Sequence, residues 1–145
     1  MTLDRLVRNR WVDKHATSRQ EIAGYLSVAD RDLEDCKADI STDMRFYAAH
    51  GAAIAIAKAA LAACGYRTTR VDANHYYLFQ SLEDTLGSDT DTVNALDAYR
   101  KKRNTAEYDM AGMISESEAD EMVEIATHLR HTVDDWLRAN HPDLL

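Results

Sequence analysis

The stretch 46–64, FYAAHGAAIAIAKAALAAC, decides the fold. Wound as a helix, it carries apolar residues around nearly its whole circumference, so neighbours must pack on it from several sides. Its length also raises the question of a membrane span. Alanine contributes little transfer energy, however, and His50 and Lys58 interrupt the run, which favours the central helix of a bundle. The helix is expected to start at Ser41 or Thr42 and to stop at Gly65, the residue type that most easily takes a left-handed C-terminal turn. Gly51 and the alanines permit close backbone approach, and a second copy of the chain is a candidate to cover part of this surface.

Working outward, the chain of 145 residues is expected to form one domain with a substantial core. One proline and five glycines leave little material for turns or β-structure, which points to an all-α class. Before the central helix, Ser18 and Glu21 stand at capping-box spacing. Ile22, Leu26, Ala29, Leu33, Cys36 and Ile40 then recur at alternating steps of four and three, the seam of a bundle helix that turns near residue 41. After it, a shorter helix is predicted over about 73–86, with Tyr77 or Leu78, Leu82 and Leu86 inward and a stop at Gly87. A fourth spans about 91–109, capped by Asp89 or Thr90 and broken around Gly112. The fifth starts at Ser115 with Glu118 in capping-box position and runs to about Asn140 through Ala119, Met122, Ala126, Leu129, Val133 and Trp136. Short connections imply antiparallel neighbours, hence an up-down bundle of four to five helices over residues 18–145.

Formal net charge is −8, which argues against DNA binding over the whole surface. Arg5, Arg8, Arg10, Lys14 and Arg19 nonetheless make the amino terminus basic. Residues 1–17 read as a basic appendage packed on the bundle, with Leu3, Leu6, Val7 and Trp11 on one face of a short helix over 3–14. No apolar run of signal-peptide length follows it, so a cytoplasmic location is expected, with no membrane role. Cys36 should lie opposite residue 45, roughly 25–30 Å along the helix axis from Cys64, so the two cysteines are expected to stay reduced and unpaired.

The second decisive stretch is YRKKRNTAEYD, residues 99–109. Its helix begins a normal seam with Val93 and Leu96, but Arg100, Arg103 and Glu107 take the next positions in register. Arg103 falls about 20° from the direction of Leu96, and Arg100, Asn104 and Tyr108 form an adjacent row. Charge therefore replaces apolar side chains on a line aimed partly at a neighbour. Lys101 and Lys102 are expected to be solvated. Arg100 and Arg103 need carboxylates, a phosphate or a second subunit as partners.

An alanine-rich second helix ending at Gly65, a histidine near the start of the third (His75), and Arg103-Asn104 followed by a ring residue together resemble the HEPN domain, the higher eukaryotes and prokaryotes nucleotide-binding superfamily. The resemblance covers about residues 18–139. HEPN proteins typically carry Arg, a polar residue, three variable positions and His near the end of the penultimate helix. Here Arg103 matches the arginine and Asn104 the polar residue, while Tyr108 stands where the family has histidine. The resemblance implies metal-independent RNA cleavage beside the ribose 2′-hydroxyl at a site shared by two subunits, and a toxin–antitoxin, defence or stress context in which a small nucleotidyltransferase is a candidate protein partner.

In that scheme Arg103 would hold the phosphate and Asn104 would orient it or a substrate hydroxyl. Tyr108, with an unperturbed pKa of about 10, is a poor general base at neutral pH, so loss of cleavage is the first expectation. Its ring and hydroxyl suit binding without cleavage, with Arg100, Lys101, Lys102 and Arg103 as phosphate contacts. Residues 103 and 108 diverge by about 140° around one helix, which suggests that two copies interleave them in a homodimer. Three readings follow: an RNA or nucleotide binder, an active ribonuclease with an altered motif, and a protein-interaction module using the same groove. No cofactor is expected. His128 and His131 share a face, but no Glu-x-x-His pair repeats on facing helices, so no metal is expected either. His50 reads as a packed or dimer-facing residue, and Tyr76, Tyr77 and Phe79 as packing.

Overall fold

In a computed structural model, which describes residues 3–69, 74–108 and 111–145 and the side chains of all of these except residues 74 and 106–108, the alanine-rich stretch forms helix α3, Thr42–Ala63. The Ser41 hydroxyl accepts from the Met44 amide at 3.1 Å to start it, and Gly65, at φ 91°, lets the chain leave it. Thirteen of its side chains are buried, alanines on every side among them, because α2 (Arg19–Asp35) and α6 (Glu116–Asn140) pack along it and α5 (Thr90–Tyr108) crosses beside its first turns. The protein is an all-α helical bundle.

Side-chain links fix the directions. Cys36 Sγ donates to the Arg45 carbonyl at 3.5 Å across the α2–α3 corner, and the Asp32 carboxylate stands beside Gly51, so α2 and α3 run antiparallel. A Cβ on Gly51 would lie 2.8 Å from Asp32 Oδ2; the close approach is thus by a side chain rather than by backbone. Arg45 pairs with Asp120 at 2.8 Å and Arg130 with Asp30 at 2.7 Å, placing α6 parallel to α3 and antiparallel to α2. Lys102 reaches Glu118, so α5 and α6 are antiparallel and the four long helices alternate in direction.

The last helix starts as its sequence dictates: Ser115 and Glu118 make both hydrogen bonds of the capping box, at 3.1 and 2.9 Å. Asp89 caps α5 by accepting from the Thr92 amide at 2.7 Å. At α2 only half of the expected box is made. Ser18 accepts from the Glu21 amide, but the Glu21 carboxylate instead takes hydrogen bonds from His15 and Thr17, both at 2.8 Å.

Four expectations are corrected. The segment 3–14 is not one helix: α1 covers Asp4–Arg8, and Val12–Lys14 form strand β1, paired antiparallel with β2 (Tyr66–Thr68) in the register Val12 to Thr68. Leu6 and Val12 are buried and Trp11 stacks on Tyr77 at 4.2 Å, so this segment belongs to the core. Second, α2 ends at Asp35 rather than near residue 40; after Cys36 the backbone tightens into Lys37-to-Glu34 and Ala38-to-Asp35 hydrogen bonds, and Ile40 is exposed. Third, the helix expected over 73–86 is α4, Asn74–Gln80, then a 3-10 turn at Ser81–Glu83, where Ser81 Oγ donates to the Leu78 carbonyl at 2.6 Å; residue 73 lies outside the described residues. Fourth, at the end of α6 Leu137 is fully buried and Trp136 only half-buried, against the reading of Trp136 as the seam residue.

Candidate functional site

The basic run lies on the last three turns of α5, against the first turns of α3 and against α4. Arg103 extends its guanidinium over the Tyr47 ring from α3, 5.4 Å from the centroid, with its Nε buried. Arg100 lies over the Tyr76 ring from α4 at 5.7 Å and donates through Nε to Asp97 at 2.9 Å, leaving its side chain only 17% exposed. Each arginine of the run is therefore seated on a tyrosine from a different helix. A guanidinium over an aromatic face gains about 0.5–2 kcal/mol and holds its plane fixed, which preserves the planar fork that suits phosphate oxygens.

The two lysines separate. Lys101 is 70% exposed, 3.5 Å from Asp97, as expected of a solvated residue. Lys102 is not solvated as expected: it forms an ion pair at 2.5 Å with Glu118 and is 32% exposed, because its i+1 offset from Lys101 turns it toward α6. That contact, with the Ser115 amide, holds the Glu118 carboxyl below its usual range. Asn104 is exposed on the rim. The backbone of Tyr108 completes α5, while its side chain lies outside the described ones, as does that of Glu107.

Beneath the arginines the core is aromatic. Phe46 meets Tyr99 edge-on at 5.5 Å and His50 face-on at 6.2 Å, and His50 meets Phe79 edge-on at 5.4 Å. The Tyr99 hydroxyl reaches Glu121; burial and that contact push its ionisation well above the usual tyrosine range and tie α5 to α6. His50 is 1% exposed, and neither ring nitrogen has a hydrogen-bond partner among the described residues. Burial, reinforced by the positive charge of Arg103, by His75 once it is protonated and by Arg100, drives its pKa down to about 3. His75, at the start of α4, is shifted down by burial and then by Lys58, Arg103 and Arg100. Both histidines are thus neutral near pH 7, within the field of the two arginines.

The structure seats Arg100 and Arg103 on two aromatic rings, Tyr76 and Tyr47, leaves Asn104 and Lys101 exposed beside them and turns Lys102 toward α6. Sequence reasoning missed the two rings. Tyr47 and Tyr76 come from other helices, and Tyr76 read only as packing; the available signal was the tyrosine beside each of two helix starts. Among the described residues no group of three His, Cys, Asp or Glu side chains is placed to hold a metal ion. No protein-family model, curated protein or solved structure matches the chain.

Proposed function

We propose that the α5 face binds single-stranded RNA or a nucleotide, with Arg103 and Arg100 on phosphate oxygens and Asn104 and Lys101 at the rim. The observation that carries this reading is the seating of both arginines on tyrosine faces, Arg103 on Tyr47 and Arg100 on Tyr76, which orders two cations on a chain of net charge −8. Rigid guanidinium planes beside exposed polar groups suit a phosphodiester backbone. The resemblance of the Arg103-Asn104 motif to HEPN domains adds a paired arrangement of two copies and a toxin–antitoxin, defence or stress role, and the sequence reading of the amino terminus adds a cytoplasmic setting. Cleavage is not expected, since a tyrosine at position 108 exchanges protons poorly at neutral pH.

The test is incubation of the purified protein with labelled RNA in chelator across a salt series, comparing wild type with Arg103→Ala. Salt-sensitive retention that the substitution weakens, without cleavage, supports binding. Cleavage abolished by the substitution supports an active ribonuclease, and Tyr108→His probes for a latent one. Sedimentation at micromolar concentration tests the pairing: monomer alone removes the shared cleft. A second reading, a protein-interaction module, is favoured by the carboxylates already on this face, Asp97 on Arg100 and Lys101 and Glu118 on Lys102. Absence of RNA or nucleotide binding at low salt would select it.

A further inference from the structure

A second electropositive feature lies at the other end of α3. A cleft of about 170 Å³ is lined by Lys58, Leu61 and Ala62 of α3, Tyr25 of α2, Arg67 of β2 and Leu78 of α4, with Tyr66 and Thr68 at its edge. Lys58 is the charged residue of the apolar run 46–64, and it is exposed between fully buried neighbours. Neither Lys58 nor Arg67 is within ion-pair distance of a carboxylate among the described residues. Asp13 stands opposite Arg67 in the two-stranded ribbon, and no ion pair joins them.

The nearest acid by its electrostatic effect, Glu21, has its carboxylate occupied by His15 and Thr17. Among the described residues no Asp or Glu lines the cleft, in a chain with 25 acids against 17 Lys and Arg. The floor, Leu61, Ala62 and Leu78, is apolar and almost wholly buried. Tyr25 stays protonated, its ionisation raised by burial and by Glu21, and so offers a neutral O–H.

Two cations, hydroxyl donors and an apolar floor define a site for a ligand with an anionic head and a flat or apolar body. The volume is smaller than the roughly 300–1,000 Å³ of drug-sized pockets, which limits the body to about one ring. We propose that this cleft binds a small phosphomonoester, its phosphate between Lys58 and Arg67 and its body against Leu61 and Leu78. The cleft lining shares no residue with the Arg100–Arg103 face, although His75 feels the charges of both, and the proposal does not depend on RNA binding there.

Titration calorimetry and amide chemical-shift mapping with phenyl phosphate test it. Saturable binding is expected, with shifts at Tyr25, Tyr66 and Thr68; inorganic phosphate should bind more weakly and phenol not measurably. Lys58→Ala and Arg67→Ala should each weaken phenyl phosphate at least about tenfold, the scale of one charge-assisted contact. Lys58→Ala replaces an exposed helical residue with a better helix former, so folding is retained and a thermal melt verifies it. Arg103→Ala should leave phenyl phosphate affinity unchanged, so loss of RNA binding and loss of this site register separately. Absence of saturable binding, or affinity indifferent to both cleft substitutions, overturns the assignment.

Discussion

Replacing His50 with leucine should stabilise the protein and remove most of its sensitivity to mild acid. The side chain is 1% exposed between Phe46 and Phe79, with no hydrogen-bond partner on either nitrogen among the described residues. Folded protein keeps the ring neutral down to about pH 3, whereas the unfolded chain protonates it near 6.5. Unfolding therefore takes up a proton throughout that window, and stability falls as the pH is lowered through it. The full shift corresponds to about 5 kcal/mol, of which about 2 kcal/mol is lost between pH 7.5 and 5, before most carboxylates titrate. At neutral pH, an apolar replacement of similar size also removes unsatisfied buried polar atoms, worth about 1–3 kcal/mol. Urea denaturation of wild type and His50→Leu at a series of pH values measures both effects. If the variant keeps the wild-type loss of stability between pH 7.5 and 5, or is less stable than wild type at pH 7.5, the account of His50 is wrong.

Other expectations are more local. Ser115→Ala removes the hydroxyl half of the capping box of α6 and should cost about 1 kcal/mol in a thermal or chemical melt. Ala53→Leu forces extra atoms into a fully buried position on α3 and should cost about 1–3 kcal/mol in denaturant titration. Tyr47→Leu should weaken RNA retention less than Arg103→Ala, because it removes the seat and leaves the cation. Burial raises both thiol pKa values, so iodoacetamide at pH 8 should label Cys36 and Cys64 slowly in the native protein and rapidly in denaturant.

The long helices were legible because their signals are local. Ser41, Asp89, Ser115 and Gly65 act on neighbours within a few residues, and alanine around the whole of α3 identified the central helix. Reading failed where the partner is distant in sequence. Trp11 looked like part of a helix face, and the strand at Val12 was missed, because their contacts, Tyr77 and Thr68, lie more than fifty residues away. Ile40 continued the α2 seam in register, but the chain had already turned at Cys36. At the candidate site, the inward direction of Arg100 and Arg103 followed from periodicity. Their tyrosine seats and the Lys102–Glu118 pair depended on which helices meet α5, which spacing within one helix does not encode.

The all-round burial of α3 also constrains how the chain is born. In the folded chain α2 covers only one side of this helix. Its opposite side waits for α6, which leaves the ribosome last among the long helices. Nascent chains that have released α3 but not α6 therefore display a long alanine-rich apolar surface, and that interval is when chaperone capture or misassembly competes with folding.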